Sequence, residues 1–399
     1  MKKHLSIVLI SIVLLFNSCH KDYSSTDYLA TVLAKLEKIE SATYTLKQEH
    51  WLPGDTASSS SSFSFLKEYN NASDSTIGAK YVRLSEDSTT LKYCYDGQMR
   101  AIVYSDERRV VLDSFIINPL PFRPVNPPFF NHAKNILKYS LETGDSISLL
   151  ISDHKDYVHV KLAIHEDMKV EFFGKAFHMP PNPYDFGDIT SIYELWIDKT
   201  NKLPYKVRRE MSHGTVERTC LNFQLNNLDI KEFRASDYFP ADYELKAYRT
   251  GRKKIKPHNL IGKEAPDWTL MTGDKLQVSL TDLKSKVSMI QFTSVSCGPC
   301  MLSIPFLNEL SKQYTKDEFD FAAIECTSSN TNVLNNYAGR TGIEYKFLLS
   351  NSEVRSAYSI SSYPVFFILD EHKVIRHVIK GYRKGSTDKE LRGLINDLI

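Results

Sequence analysis

Cys297-Gly298-Pro299-Cys300 sets two thiols three positions apart. The segment before them, Val287 to Phe292, is mostly apolar and predicts a buried strand. The segment after them, Met301 to Tyr314, predicts an amphipathic helix. A dithiol placed where a strand runs into a helix suits thiol–disulfide exchange. The helix N-terminus carries partial positive charge and free N–H groups, so it favours a thiolate. Cys297 is then the nucleophile. Cys300, one helical turn on, lies close enough to close a disulfide with it. Two other uses of the pair fit less well. Half of a zinc site needs two more ligands at suitable spacing, and there is no second Cys-x-x-Cys. A purely structural disulfide rarely closes so small a ring.

The surrounding residues follow a definite order. Ile261 to Leu270 read IGKEAPDWTL, and the chain continues MTGDKLQVSLTDLKSKVSMIQFTSVSCGPC. Gly262, Ala265, Pro266, Asp267, Thr269 and Leu270 fit an opening G-x-x-A-P-D-F-T-L. Val278, Ser279, Leu280, Asp282, Leu283, Lys284 and Lys286 fit an approach V-S-L-x-D-L-K-G-K. Downstream, Ser361 to Asp370 fit a strand P-T-x-F-L-I-D, with Pro364 as its proline. In this combination the C-terminal third of the chain resembles the TlpA/ResA-like branch of the thioredoxin superfamily.

The resemblance implies an α/β thioredoxin fold over residues 261–399 and thiol–disulfide oxidoreductase activity through Cys297 and Cys300. It implies no cofactor beyond the redox-active disulfide, no metal, and disulfide-bearing proteins as substrates. It also implies that Pro364 is cis and sits beside the dithiol. Tyr363 then offers its N–H and C=O to an extended substrate segment, as in strand addition. Pro305 falls inside the dithiol helix, where it should kink it.

Three positions depart from the family pattern. The aromatic expected before the first cysteine is Ser296. The buried aspartate of thioredoxins, six residues before that cysteine, is Gln291, and the acid of the TlpA/ResA branch three residues after the second is Ser303. Those carboxylates help to take the proton from the resolving thiol. Without them Cys300 must rely on water or another acid. Glu325, on the apolar strand expected over Phe319 to Cys326, is one candidate; a surface or strand-end glutamate is the plainer reading.

The first residues read as an address. Lys2 and Lys3 precede an apolar run from Leu5 to Phe16, then Asn17-Ser18-Cys19. A positive start, a core of about a dozen apolar residues and a small residue before a cleavage point predict a signal peptide over residues 1–18. Ser18-Cys19 resembles a bacterial lipoprotein processing site, although Phe16 stands where the family prefers an aliphatic residue. The resemblance implies a lipid on Cys19 and a place in the bacterial cell envelope, anchored to a membrane and facing the periplasm. A membrane dithiol is then the expected electron donor, because the periplasm keeps dithiols oxidised. Six cysteines are too few for a disulfide scaffold in a chain this long. Cys94 and Cys220 fit either a bridge or two separate buried thiols, and Cys326 reads as a core residue. The net charge of +2 gives no argument for nucleic acid.

Residues 19–250 read as a β-rich domain, joined by a basic linker over 251–260. Thr26 to Glu40 predicts one amphipathic helix, and Asn131 to Tyr139 a second. Between and after them lie strands that alternate polar and apolar residues, as antiparallel sheets with one wet face do. Ser58 to Ser62 reads as a low-complexity loop tip. Tyr95-Asp96-Gly97, Tyr193 to Asp198 and Leu203 to Val207 resemble the LolA/LolB/RseB-type lipoprotein-carrier fold, which implies an α+β half-barrel of curved antiparallel sheet. His132, His165, His178 and His213 show no metal-ligand spacing. The expected activity is thiol–disulfide exchange with partner proteins. The rival is a ligand- or peptide-binding lipoprotein whose thioredoxin-like part supports or senses.

Overall fold

The computed structural model describes residues 25–52, 55, 57–121, 126–179, 191–211, 214–228, 233–248, 259–328 and 331–399. The apolar leader, Cys19 and the basic linker residues Arg252, Lys253 and Lys254 lie outside the described residues. Among the described residues, no helix is long and apolar enough to cross a membrane.

Helix α1 (Ser25–Leu36) leads into β1 (Ser41–Trp51), β2 (Ser60–Asn70), β3 (Ala79–Leu84), β4 (Leu91–Tyr95), β5 (Arg100–Tyr104) and β6 (Arg109–Asp113). Helix α2 (Phe129–Glu142) follows, then β7 (Ile147–Asp153), β8 (Tyr157–Ile164), β9 (Val170–Phe172) and β10 (Ala176–His178). β11 (Ser191–Asp198), β12 (Leu203–Met211), β13 (Gly214–Leu225) and β14 (Glu244–Ala247) complete this region. Twelve of these strands form one sheet, ordered β14-β6-β5-β4-β3-β2-β1-β13-β12-β11-β8-β7. β9 and β10 pair separately. Consecutive strands form two meanders, and the pairing of β1 with β13, from Ala42 opposite Leu225 to Trp51 opposite Thr215, joins them.

Period-two alternation gives the sheet one apolar face. Val158, Val160, Leu162 and Ile164 of β8 are buried, as are Tyr193, Leu195 and Ile197 of β11. Leu29, Val32 and Leu33 of α1 and Phe129, Ala133 and Ile136 of α2 pack on that face. Glu68 of β2 fixes where α2 begins. Its buried carboxylate accepts the Phe130 and Asn131 N–H groups at 3.1 and 2.7 Å and the Tyr44 hydroxyl at 2.8 Å. An anion there answers the positive end of the helix. A second buried charge lies near the sheet's other end. Arg100 and Asp113, opposite one another on β5 and β6, form an ion pair at 2.6 Å with side chains 3% and 4% exposed. The Phe115 and Tyr248 rings flank the guanidinium.

Several expectations need correction. α1 stops at Leu36, not Glu40, because the Glu40 and Ser41 N–H groups turn to the Asn226 side chain instead of the preceding helical turn. Ser60 to Ser62 are strand, not loop tip: they pair with His50, Glu49 and Gln48. A run of serines carries no apolar alternation to announce this. Neither β2 nor β7 answers a strand expected from the sequence; in β7, Leu149-Leu150-Ile151 blurs the period. Cys94 and Cys220 are separate buried thiols in different apolar clusters, so no bridge joins them.

The second sheet is built from β15 (Thr269–Thr272), β16 (Gln277–Ser279), β17 (Val287–Thr293), β18 (Phe319–Glu325), β19 (Lys346–Leu349), β20 (Val365–Leu369) and β21 (Ile375–Lys380). Three helices lie between its strands, α3 (Gly298–Gln313), α4 (Thr331–Thr341) and α5 (Ser352–Ala357), and α6 (Ser386–Asn396) follows the last strand. The order is β16-β15-β19-β18-β17-β20-β21. β17 runs parallel to β18 and antiparallel to β20. All residues of β17, β18 and β20 are buried, as strands covered on both faces require. Phe306 and Leu307 of α3 and Leu391 and Ile395 of α6 cover one face, and Val354 and Tyr358 around α5 cover the other.

Candidate active site

β17 ends at Thr293, and α3 begins five residues later at Gly298. Cys297 is its N-cap. The backbone there is extended, and its sulfur accepts the Cys300 N–H at 3.3 Å. Pro299 occupies the first turn, where a missing N–H breaks no helical bond. Cys297 and Cys300 are joined by a disulfide with Cα atoms 5.2 Å apart. Their access differs. Cys300 is 2% exposed, whereas Cys297 is only half-buried. A partner sulfur reaches Cys297 first. Pro305 lies inside α3, as expected.

Tyr363 and Pro364 precede β20, whose Val365 pairs with Phe292 of β17. The Tyr363–Pro364 bond is cis. The antiparallel pairing brings this turn to the same sheet end as the dithiol loop. Tyr363 is half-buried and Pro364 buried.

Behind the dithiol, the two expected carboxylate positions hold a neutral chain of hydrogen bonds. The Gln291 amide donates to Ser303 Oγ at 3.0 Å, and Ser303 Oγ donates to the Cys300 carbonyl at 2.7 Å. Both side chains are buried. Ser303 is fully enclosed, so a larger acid there would overpack the site. Gln291→Glu keeps the shape and adds a carboxyl group on the Cys300 side of β17. General-base help is typically worth about 10²-fold. Gln291→Glu should therefore speed release of a mixed disulfide by one to two orders of magnitude, at about that limit, while leaving the first attack unchanged. Stopped-flow reduction of a disulfide peptide resolves the two steps. Unchanged release would assign proton removal to another group.

Glu325 corrects the sequence reading. It does end a strand, but it is fully buried. Its carboxylate accepts from the Val295 N–H at 3.3 Å, the Thr327 N–H at 3.0 Å and the Ser328 N–H at 2.7 Å. The Thr327 hydroxyl adds a bond at 2.5 Å. Glu325 therefore ties the loop leading into Cys297 to the loop leaving β18. It is a positioning residue, and spacing along the sequence gave no sign of that.

Cys326, next along, packs in the apolar cluster that includes Val365 and Tyr363. Burial, then the charge of Glu325, pushes its thiol up to about 12. It stays protonated and does not compete as a nucleophile. Burial and Cys326 likewise push the Tyr363 phenol up to about 12.

Comparison with known proteins places this geometry. A family model described as Redoxin matches residues 260–395. The chain is similar to the thioredoxin-like protein YneN of Bacillus subtilis (strain 168), with 30% identity over 122 residues, 30% of this chain and 71% of that protein. It is similar to the thiol-disulfide oxidoreductase ResA of Geobacillus thermodenitrificans (strain NG80-2), with 27% identity over 122 residues, 30% of this chain and 70% of that one. A crystal structure of a thiol:disulfide interchange protein, a thioredoxin family protein from Chlorobium tepidum TLS, aligns at 27% identity. It covers 33% of this chain and 95% of that one, with a TM-score of 0.30.

Proposed function

The chain belongs to the Redoxin family of thioredoxin-like thiol–disulfide oxidoreductases, and from that premise we propose that it reduces disulfides in partner proteins through Cys297 and Cys300 while lipid-anchored at the periplasmic side of a membrane. The observation that carries the residue assignment is the unequal access of the two sulfurs at one helix start. In the reduced protein the Cys297 thiolate attacks one sulfur of a partner disulfide. A Cys297–partner bond forms, the partner's S–S bond breaks, and its other sulfur leaves as a thiolate. Cys300 then loses its proton and attacks Cys297 Sγ. The Cys297–Cys300 bond forms and the second partner thiolate leaves. Two electrons have passed to the partner, both of whose thiolates take up protons. A membrane dithiol returns the enzyme to the reduced state. The cycle needs no cofactor. The Tyr363 N–H and C=O, on the turn beside the dithiol, hold the substrate backbone.

The test is insulin reduction with dithiothreitol, together with iodoacetamide labelling of the reduced protein at neutral pH. Turnover and labelling of Cys297 ahead of Cys300 are expected. No turnover, or Cys300 labelling first, would reject the assignment.

The anchor is Cys19, the first residue left after removal of residues 1–18. Residues 19–250 form the half-barrel partner domain, and the boundary with the thioredoxin-like domain falls at 251–260. Cys19→Ala should move the protein from the membrane pellet to the soluble fraction. A variant that resists a carbonate wash would place the anchor elsewhere.

A further inference from the structure

The first sheet holds an internal cavity that disulfide exchange does not use. It measures about 260 Å³ and opens between β1, β9, β12 and β13. A second, of about 130 Å³, adjoins it; the two share Gln48, Asn126, Pro127 and Arg218 in their walls. Lys169, Arg209 and Arg218 line the first, and Arg83 and Arg218 the second. Glu171 is the one carboxylate among the described lining residues. It is already engaged, by Arg209 at 2.8 Å and Lys169 at 3.6 Å.

Arg218 is the unusual member. It is partly buried on β13 and lines both cavities. Among the described residues no carboxylate pairs with it, and its Nε–H has no hydrogen-bond partner. The charged side chains that act on it are other cations, Arg83 and Arg209. Burial, then Arg83, pulls its guanidinium down to about 10. Burial, then Arg218 and Arg209, lowers His132 well below the usual imidazole range. A buried cation without a counter-charge is costly, and like-charged neighbours raise the cost. An arrangement of this kind is compensated by an anion that enters from outside. Arginine suits that task because its planar fork binds carboxylate and phosphate in bidentate fashion. Apolar side chains share the remaining wall with Gln48, His50, Asn126 and His132: Phe172, Val207 and Met211 in the larger cavity, Leu46, Leu66 and Phe129 in the smaller.

We propose that these cavities form a binding site for a small organic anion, a carboxylate or phosphate carrying an apolar portion, with Arg218 as its principal charge partner. Arg83 and Arg209 hold the same anionic group from either side, and the apolar walls take the rest of the ligand. The site is independent of the dithiol. It gives the first sheet a function of its own.

Calorimetric titration of the full chain with octanoate, octyl phosphate, inorganic phosphate and octanol tests this. Octanoate or octyl phosphate should bind with one-to-one stoichiometry, and octanol at least tenfold more weakly. Arg218→Gln should weaken the anions at least tenfold while leaving the melting temperature equal or higher, since it removes a partly buried charge with no carboxylate partner among the described residues. If Arg218→Gln does not fold, Arg83→Gln supplies the same comparison from the adjoining cavity. Octanol binding as tightly as octanoate, no binding of either organic anion, or folded arginine variants with unchanged affinity would overturn the proposal. Equal affinity for inorganic and octyl phosphate would overturn its apolar half and identify a free anion as the ligand.

Discussion

Cys297→Ser should bring insulin reduction down to the uncatalysed rate, and Cys300→Ser should accumulate a disulfide-linked complex with the partner. The two outcomes differ because the two sulfurs differ in access. Cys297 faces solvent at the cap of α3, so its loss removes the first attack. Cys300 is 2% exposed and reaches only Cys297. Its loss leaves the first attack intact and stops the second, so the mixed disulfide persists. Non-reducing gels and mass spectrometry of the Cys300→Ser protein with a disulfide peptide would show the adduct on Cys297. An adduct on Cys94, Cys220 or Cys326 would contradict this account, since all three thiols are buried. Equal residual turnover in both variants would also contradict it.

The largest stability effect is expected at Asp113. Asp113→Ala should cost about 3–5 kcal/mol, because it leaves the Arg100 guanidinium buried beside two aromatic rings without its carboxylate. Asp113 Oδ1 also accepts the Phe115 N–H at 2.9 Å, so the turn after β6 loosens as well. Replacing both partners, Arg100→Met with Asp113→Leu, should recover most of the loss, since a paired charge and a packed apolar pair differ little. Urea unfolding with the slope held constant measures both. A loss within 1 kcal/mol of zero for Asp113→Ala, about that of an exposed pair, would mean that water reaches Arg100.

The dithiol was legible in the sequence because its chemistry sits in four adjacent residues after an apolar strand. The departures at Gln291 and Ser303 were legible too, since they are read at fixed offsets from the cysteines. What the offsets did not give was their hydrogen bond to one another, which depends on β17 and α3 packing together. Glu325 was misjudged because its burial is decided by Val295, Thr327 and Ser328 closing over it, not by the strand it ends. β2 was missed altogether: it opens on serines, which pair through the backbone as well as any residue but carry no apolar signal. The cation cluster was invisible for a different reason. Arg83, Arg209 and Arg218 lie on three strands, each among ordinary alternating residues; β12 adjoins β13, but β1 and β2 lie between β13 and β3, and only the folded sheet sets all three around adjoining cavities.

The seam between β1 and β13 bears on how the molecule comes to be folded. Each meander is made of strands close in sequence, whose loops close at small entropic cost. The seam joins residue 42 to residue 225, so it forms after most of the region exists as chain, as does the pairing of β14 with β6. Pairings this distant in sequence are slow to form. During synthesis from the amino end, β1 to β6 are available while the side of β1 meant for β13 has no partner. An unpaired strand edge is the feature by which partly made β-proteins aggregate. Lys47, Glu49 and His50 lie along that edge, and charged side chains on an edge discourage pairing with other chains.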